Sequence, residues 1–323
     1  MAQATVTRST GATGVPYYQT KQFAKLVHDI IIYTLLVVLG IIFAFPFFWM
    51  LSSALKTNTD VLLWPPVWIP NPPQWGNFYE SLFGNSQLPF IPTFLFNTLR
   101  IEFFVIIGRF VTCVLVAYAF ARLNAPGKDF LFAVLLATLM LPSAALLIPK
   151  FIIFSRLDVW SVQFFESLSR TLGINIPPIH FINTTLPLVL PSFFAEAYAV
   201  FLFRQFFMSI PRELEEAFRM DGAGTPRIIF NLIVPLSMPV IAVILVFTFK
   251  DTWNDLEGPL IYLNNLQQYT LSLGLAFFNG QFRVDMNLLM AANFAVMLPL
   301  IALFFVAQRL FVEGVSMSGM GGR

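Results

Sequence analysis

Charge is what this sequence has least of. Only 11% of its 323 residues are Asp, Glu, Lys or Arg, where a water-soluble domain carries about 25%. With 57% hydrophobic residues and a mean hydropathy of +0.75, there is too little polar side chain to cover a globule in water. Cysteine is nearly absent. Cys113 stands alone in an apolar run, so no internal disulfide can form and the thiol is expected to pack as a small hydrophobe. The two histidines, His28 and His180, lie far apart without cysteine neighbours, which excludes the usual metal-ligand spacings. No Gly-x4-Gly-Lys-Ser/Thr run is present, so the chain cannot cradle nucleotide phosphates in that way. Nor does any His/Glu/Asp or Ser/His group show catalytic spacing, so neither an enzyme nor a cofactor is expected. The net charge of +2 comes from scattered basic residues, which is not the footprint of a nucleic-acid binder.

What is present is a series of long apolar runs, rich in the 38 phenylalanines. In lipid such runs must be helical, because every backbone polar group has to be satisfied within the segment. The runs predict spans at about 30–51, 94–120, 130–149, 186–207, 232–250 and 288–308. The first is too long for a signal-peptide core and lacks a small-residue cleavage site, so it is expected to remain as a transmembrane helix. Residues 1–25 and 316–323 read as tails, the first of them disordered. After the first span comes a proline- and tryptophan-rich patch from Trp64 to Pro73. Tryptophan prefers the membrane interface and prolines forbid a continuous helix, so an ordered interfacial loop is expected.

The densest charge lies in the stretch Ser209–Pro235, between two apolar runs. Pro211 suits the first turn of a short helix. Asp221-Gly222 signals a turn, and Thr225-Pro226 restarts a helix with Thr225 as its cap. Leu214, Ala217 and Phe218 fall on one face of the first helix, with carboxylates flanking them. Two readings stand side by side: a solvated polar loop between spans, or a knob for a soluble partner to grip.

The order of residues in that stretch resembles the EAA loop of ABC importer permeases. Glu216-Ala217-Phe218, Asp221-Gly222-Ala223-Gly224 and then Ile233, Pro235 and Leu236 follow the pattern, with Phe218 in place of the second alanine and Val234-Pro235 where Leu-Pro is usual. The variant is similar to that of the carbohydrate, maltose-type subgroup. Ser53–Thr57, Trp68-Ile69-Pro70, Asn77-Phe78-Tyr79, Asn97-Thr98, Ala117–Arg122, Trp253–Leu260 and Phe305–Gly314 also resemble that family, so the likeness covers roughly residues 25–315. It implies an all-α membrane protein of six transmembrane helices with a cytoplasmic coupling helix, the type I ABC importer permease fold. It further implies half of a translocation pore in the cell membrane, completed by a second permease subunit. Two ATP-binding subunits, an extracytoplasmic solute-binding protein, surrounding lipid and a carbohydrate substrate would be the partners. Under the resemblance, Glu215, Glu216, Ala217, Arg219, Asp221, Gly222, Ala223 and Gly224 would couple to the ATPase. The family's link after the third span is usually shorter, so an insertion is expected within 159–181, in an external segment over 155–183.

Basic residues give an independent orientation. Arg8, Lys21, Lys25, Arg122, Lys128, Arg204, Arg212, Arg219, Arg227, Arg309 and Arg323 fall on one side of a six-span arrangement, against Lys56, Arg156, Arg170 and Arg283 on the other. The positive-inside rule then makes both termini and the charged stretch cytoplasmic.

A few polar positions stay open between two readings. Glu102, Arg109 and Glu196 lie within spans, where charge is costly enough to suggest function, though pairing within the bundle would also account for them. Glu196, Trp253, Asn254 and Asp255 form a possible substrate path; the last three could equally cap a span at the interface. Two other classes remain: an ion-coupled secondary transporter, which should show inverted repeats where no internal repeat is evident, and a non-transporting membrane scaffold.

Overall fold

The computed structural model describes residues 21–84, 91–278 and 285–318, and side chains only within 25–308. The tail expected over 1–25 therefore lies, apart from its last five residues, outside the described residues, as does 319–323. The described chain is helical throughout. In order it comprises α1 (Lys21–Ala54), α2 (Asn58–Val61), α3 (Gly76–Phe83), α4 (Ile91–Arg122), α5 (Lys128–Ala137) and α6 (Ser143–Leu172). Then follow α7 (Leu186–Val189), α8 (Ala197–Ser209), α9 (Arg212–Met220), α10 (Thr225–Ile228), α11 (Val234–Leu236), α12 (Met238–Trp253), α13 (Glu257–Tyr262), α14 (Leu271–Phe278) and α15 (Met286–Ser318). By length and composition four segments can cross a membrane, or six if each of two bent pairs counts as one span.

Prolines decide where the apolar runs break. The expected third span does not continue to 149. It stops after Met140, and Lys128–Met140 meets Ser143–Leu172 at 102°. Pro142 caps the new helix with an extended ψ of 133°, and it cannot donate to the preceding turn. Most of the segment expected to be a loop over 155–183 is instead the continuation of α6. Its return strand is pinned to it: the Asp158 carboxylate accepts from the Phe181 and Ile182 N–H groups at 2.5 and 3.1 Å. The expected fifth span is also displaced. Residues 232–236 belong to a wide π turn and α11, and α12 starts at Met238 after a bend of 82°. The fourth run is interrupted too, by a 3-10 turn at Leu190–Phe193 and an extended residue before α8.

α4 is the central member. It packs against α8, α12, α14 and the 190–193 turn. Gly108 permits the close approach to that turn, since a Cβ there would stand 2.6 Å from Ser192 Oγ. α8 is stapled to α5 by the Arg204 guanidinium, 4.1 Å above the Phe132 ring. α1 packs against α15, but its apolar window has no buried residue, so this face looks outward from the chain.

The patch after α1 is an ordered loop. Ser52 donates to the Trp68 carbonyl at 2.5 Å, Asn77 donates to the Ala54 and Lys56 carbonyls at 2.8 Å, and Trp68 meets Trp49 edge-on at 5.5 Å. Asn58 joins it to the start of α15, donating to Asp285 and accepting from Met286 N–H, both at 3.0 Å. Lys56 is buried above the Trp49 ring at 4.4 Å. Burial lowers its pKa, partly offset by Asp60.

Candidate functional site

Two sites lie at opposite ends of α4. Thirty-two residues of α-helix span about 48 Å, so one end is a membrane thickness from the other. At its first turns Asn97 donates to the Gln267 and Tyr269 carbonyls at 2.8 and 3.1 Å, and Thr98 accepts from Leu271 N–H at 2.9 Å. At its last turn Arg122 holds the charged elbow.

The elbow is α9, a tight turn, and α10. Gly222 adopts φ +77°, which an L side chain takes up only with strain, and Ala223 N–H closes the turn on the Phe218 carbonyl at 2.9 Å. Gly224 rather than Thr225 is the cap of α10; Thr225 is its first residue. The sequence left open which face of α9 turns inward. Leu214 is 42% exposed, whereas Glu215 is 6% exposed and points inward. The reason is electrostatic. Glu215 Oε1 pairs with Arg122 Nε at 2.5 Å, and Tyr118 donates to Oε2 at 3.2 Å. A second nitrogen of Arg122 donates to the Ile210 carbonyl at 2.6 Å, where α8 has just ended. Phe218 packs on the apolar cluster of Tyr118, Phe207, Ile210 and Ala223 beside this pair. Glu216, Ala217, Arg219, Asp221, Gly222 and Gly224 are exposed; Glu215 and Ala223 are not.

At the other end a cavity of about 740 Å³ opens between α4, α6, α13 and the 187–196 segment. Its ionisable lining is Arg109, Lys150, Glu196, Asp251, Asp255 and Glu257. Of the four residues expected along a substrate path, Glu196 and Asp255 line it and Trp253 and Asn254 do not. Trp253 is 2% exposed, stacked on Phe249 at 5.0 Å in a packed cluster with Ile91, Phe94 and Leu271. Asn254 turns back to the Lys250 carbonyl at 2.7 Å, capping its own helix. Glu196 is no stranded charge. It caps α8, accepting from the Tyr198 and Ala199 N–H groups at 3.0 and 2.9 Å, where carboxylates suit the positive helix end. Arg109 donates to Thr248 at 3.1 Å. Glu102 is 3% exposed, and among the described residues its oxygens accept no hydrogen bond. Asp255 accepts from Gly258 N–H at 3.1 Å; burial raises its pKa, and that hydrogen bond opposes the rise.

Lys150, Asp251 and Thr252 also line the cavity and were not singled out from sequence. Charges at the margins of long apolar runs were the available signal. Arg122 and Tyr118 fall within the Ala117–Arg122 stretch, but their pairing with Glu215, across 93 and 97 residues, carries no local signature.

Compared with known proteins, residues 110–317 match the family model described as binding-protein-dependent transport system inner membrane component. The sn-glycerol-3-phosphate transport system permease protein UgpE of Yersinia enterocolitica is 30% identical over 89% of this chain and 95% of its own length. The arabinooligosaccharides transport system permease protein AraQ of Bacillus subtilis is 26% identical over 88% of this chain and 92% of its own. Among solved structures, a bacterial ABC transporter involved in the import of the acidic polysaccharide alginate superposes with a TM-score of 0.71 at 19% identity, over 92% of this chain and 100% of that chain. That likeness shows the fold, the type I ABC importer permease architecture. With the family matched over most of the chain, this protein belongs to the binding-protein-dependent transport system inner membrane components: it is a multi-pass membrane permease subunit of an ABC importer, a transport subunit and not an enzyme.

Proposed function

We propose that this chain forms half of a sugar-translocating pore and receives the work of ATP hydrolysis through the elbow of α9 and α10. A second permease completes the pore. Two ATP-binding subunits dock on the cytoplasmic side, where both termini also lie. Glu216 anchors α9 to the ATPase through charge-assisted hydrogen bonds, Ala217 keeps that contact close, and Gly222 shapes the turn. An extracytoplasmic solute-binding protein delivers substrate to the loops around Trp64–Pro73 and Asp255–Glu257, and the cavity at that end of α4 is the substrate path, with Glu196 and Asp255 in its wall.

One observation carries this reading. α9 turns a single side to the helix bundle and leaves Glu216, Ala217 and Arg219 exposed, beyond the end of α4 that lies away from the cavity. The asymmetry of basic residues supports the same orientation. The relatives' names support a carbohydrate or related polyol: UgpE is named for sn-glycerol-3-phosphate, AraQ for arabinooligosaccharides. An ion-coupled secondary transporter has no support in the family match. The test is expression with the neighbouring permease and ATPase genes, followed by detergent purification through a tag on this chain. The ATPase should copurify, and Glu216→Ala should reduce the amount bound while leaving this chain in the membrane. Purified protein that moves solute without any nucleotide-hydrolysing partner would overturn the proposal.

A further inference from the structure

A push on α9 has to reach a cavity more than a membrane leaflet away, and the structure offers two routes. One runs forward through α10, the π turn and α11, but that route bends by 82° before α12. A bend absorbs displacement. The other runs through α4, which is unbroken from Ile91 to Arg122. The same helix lines the cavity with Thr98, Ile101, Val105 and Arg109; from Arg109 to Arg122 is about 20 Å of rigid helix.

We propose that Arg122, Tyr118 and Glu215 form a buried strut that makes α4 the member transmitting elbow movement to the cavity wall. This rests on the coupling reading above and deepens it. Glu215 is a positioning residue, bonded within the chain, and Glu216 beside it is the one left for the partner. One guanidinium holds two elements at once: the Glu215 carboxylate on α9 at 2.5 Å and the Ile210 carbonyl at the end of α8 at 2.6 Å. Tyr118, one turn earlier on α4, holds the second carboxylate oxygen. The pair is shut away from solvent, the side chains being 6% and 8% exposed. Phe207 and Ala223 share an apolar cluster with Tyr118, and Phe218 packs against that cluster. In such low-dielectric surroundings the attraction is stronger than at a surface. The elbow therefore cannot rotate on α4 without breaking a buried ion pair, and α4, α8 and α9 move together.

The test uses the full complex, in a Cys113→Ser background with Ser143→Cys as a reporter. Ser143 is exposed and lines the cavity. Complexes in proteoliposomes are treated with a membrane-impermeant maleimide, with and without ATP plus vanadate. In the parent, nucleotide should change the labelling rate. In Glu215→Gln, bound ATPase should stay at the parent level, while the nucleotide-dependent change falls by on the order of tenfold, within the range for one coupling interaction. Glu215→Asp, which keeps a carboxylate for Arg122 and Tyr118 and leaves the Arg122 bond to Ile210 in place, should retain most of it. A merely structural role would lower membrane level or assembly and leave the response of the surviving complexes unchanged. The strut is overturned if Glu215→Gln responds like the parent, if it loses the ATPase (making Glu215 a docking residue), or if Glu215→Asp responds no better than Glu215→Gln. A parent that binds no ATPase would overturn the coupling reading itself, and this inference with it.

Discussion

Individual residues here act through conformation or through charge held out of water. Gly222 is the first kind. Its φ of +77° is forced by the turn, and a Cβ there would meet nothing within 4 Å. Alanine at this position therefore costs only backbone strain, about 1–2 kcal/mol. Gly222→Ala should insert and fold, yet bind less ATPase, and Gly222→Asn should bind more than Gly222→Ala because asparagine tolerates left-handed backbone; the amount copurified with a tagged chain checks both. Asp255 is the second kind. Burial raises its pKa, so its folded form favours the proton. That contribution to stability is fully present below the ordinary carboxylate range and is lost as pH rises through the raised value. Asp255→Asn keeps an acceptor for Gly258 N–H and removes the charge. It should match the parent in thermal midpoint at pH 4 and equal or exceed it at pH 7, as followed by intrinsic fluorescence. Charge at Asp255 was legible in the sequence; its burial was not, because it depends on Leu188 arriving from elsewhere in the chain beside Gly258.

Elements show where periodicity suffices and where it fails. α4 was legible almost to its ends, because a mostly apolar run of 32 residues with no proline beyond its first turn has one way to satisfy its backbone in lipid. The runs around Pro142, Pro191 and Ser237 were not. Hydropathy is blind to direction, so a run bent by 102° or 82° reads the same as a straight one. α9 was legible as a helix but not in its facing. Its three apolar residues share one face, but nothing local says which side turns inward, and a buried arginine on α4 recruits Glu215. The crossing of α4 with the 190–193 turn is equally tertiary. Gly108→Ala would push a methyl to 2.6 Å from Ser192 Oγ and 2.8 Å from the Phe193 ring. Overpacking of this kind costs about 1–3 kcal/mol, so the variant should unfold at lower temperature in detergent, with a normal α9 and normal ATPase binding.

At the scale of the whole molecule the chain is a two-ended device built on one helix. If the elbow is cytoplasmic and the tryptophan-rich loop is not, Ala217→Cys should react with an impermeant maleimide only in inside-out vesicles, and Trp64→Cys only in right-side-out ones, each in the Cys113→Ser background. Trp64 is 89% exposed, so a lack of reaction on both sides would not arise from burial. The apolar face of α1, with no buried residue in its window, looks outward from the chain. The poverty of charge across the spans is the counterpart of that environment, since each lipid-facing charge would be costly.

Membrane residence, helical class and the existence of a charged elbow followed from sequence alone, because they depend on composition and on local chemistry: apolar length, proline and glycine punctuation, and the order of residues around Glu216 and Gly222. Which carboxylate of the elbow turns inward, which of the expected path residues meet a cavity, and where the apolar runs bend were decided only by tertiary structure. The physical reason is that each rests on partners scores of residues away, Arg122 for Glu215 and Phe94 for Trp253, and no local pattern encodes a meeting that only the packed bundle brings about.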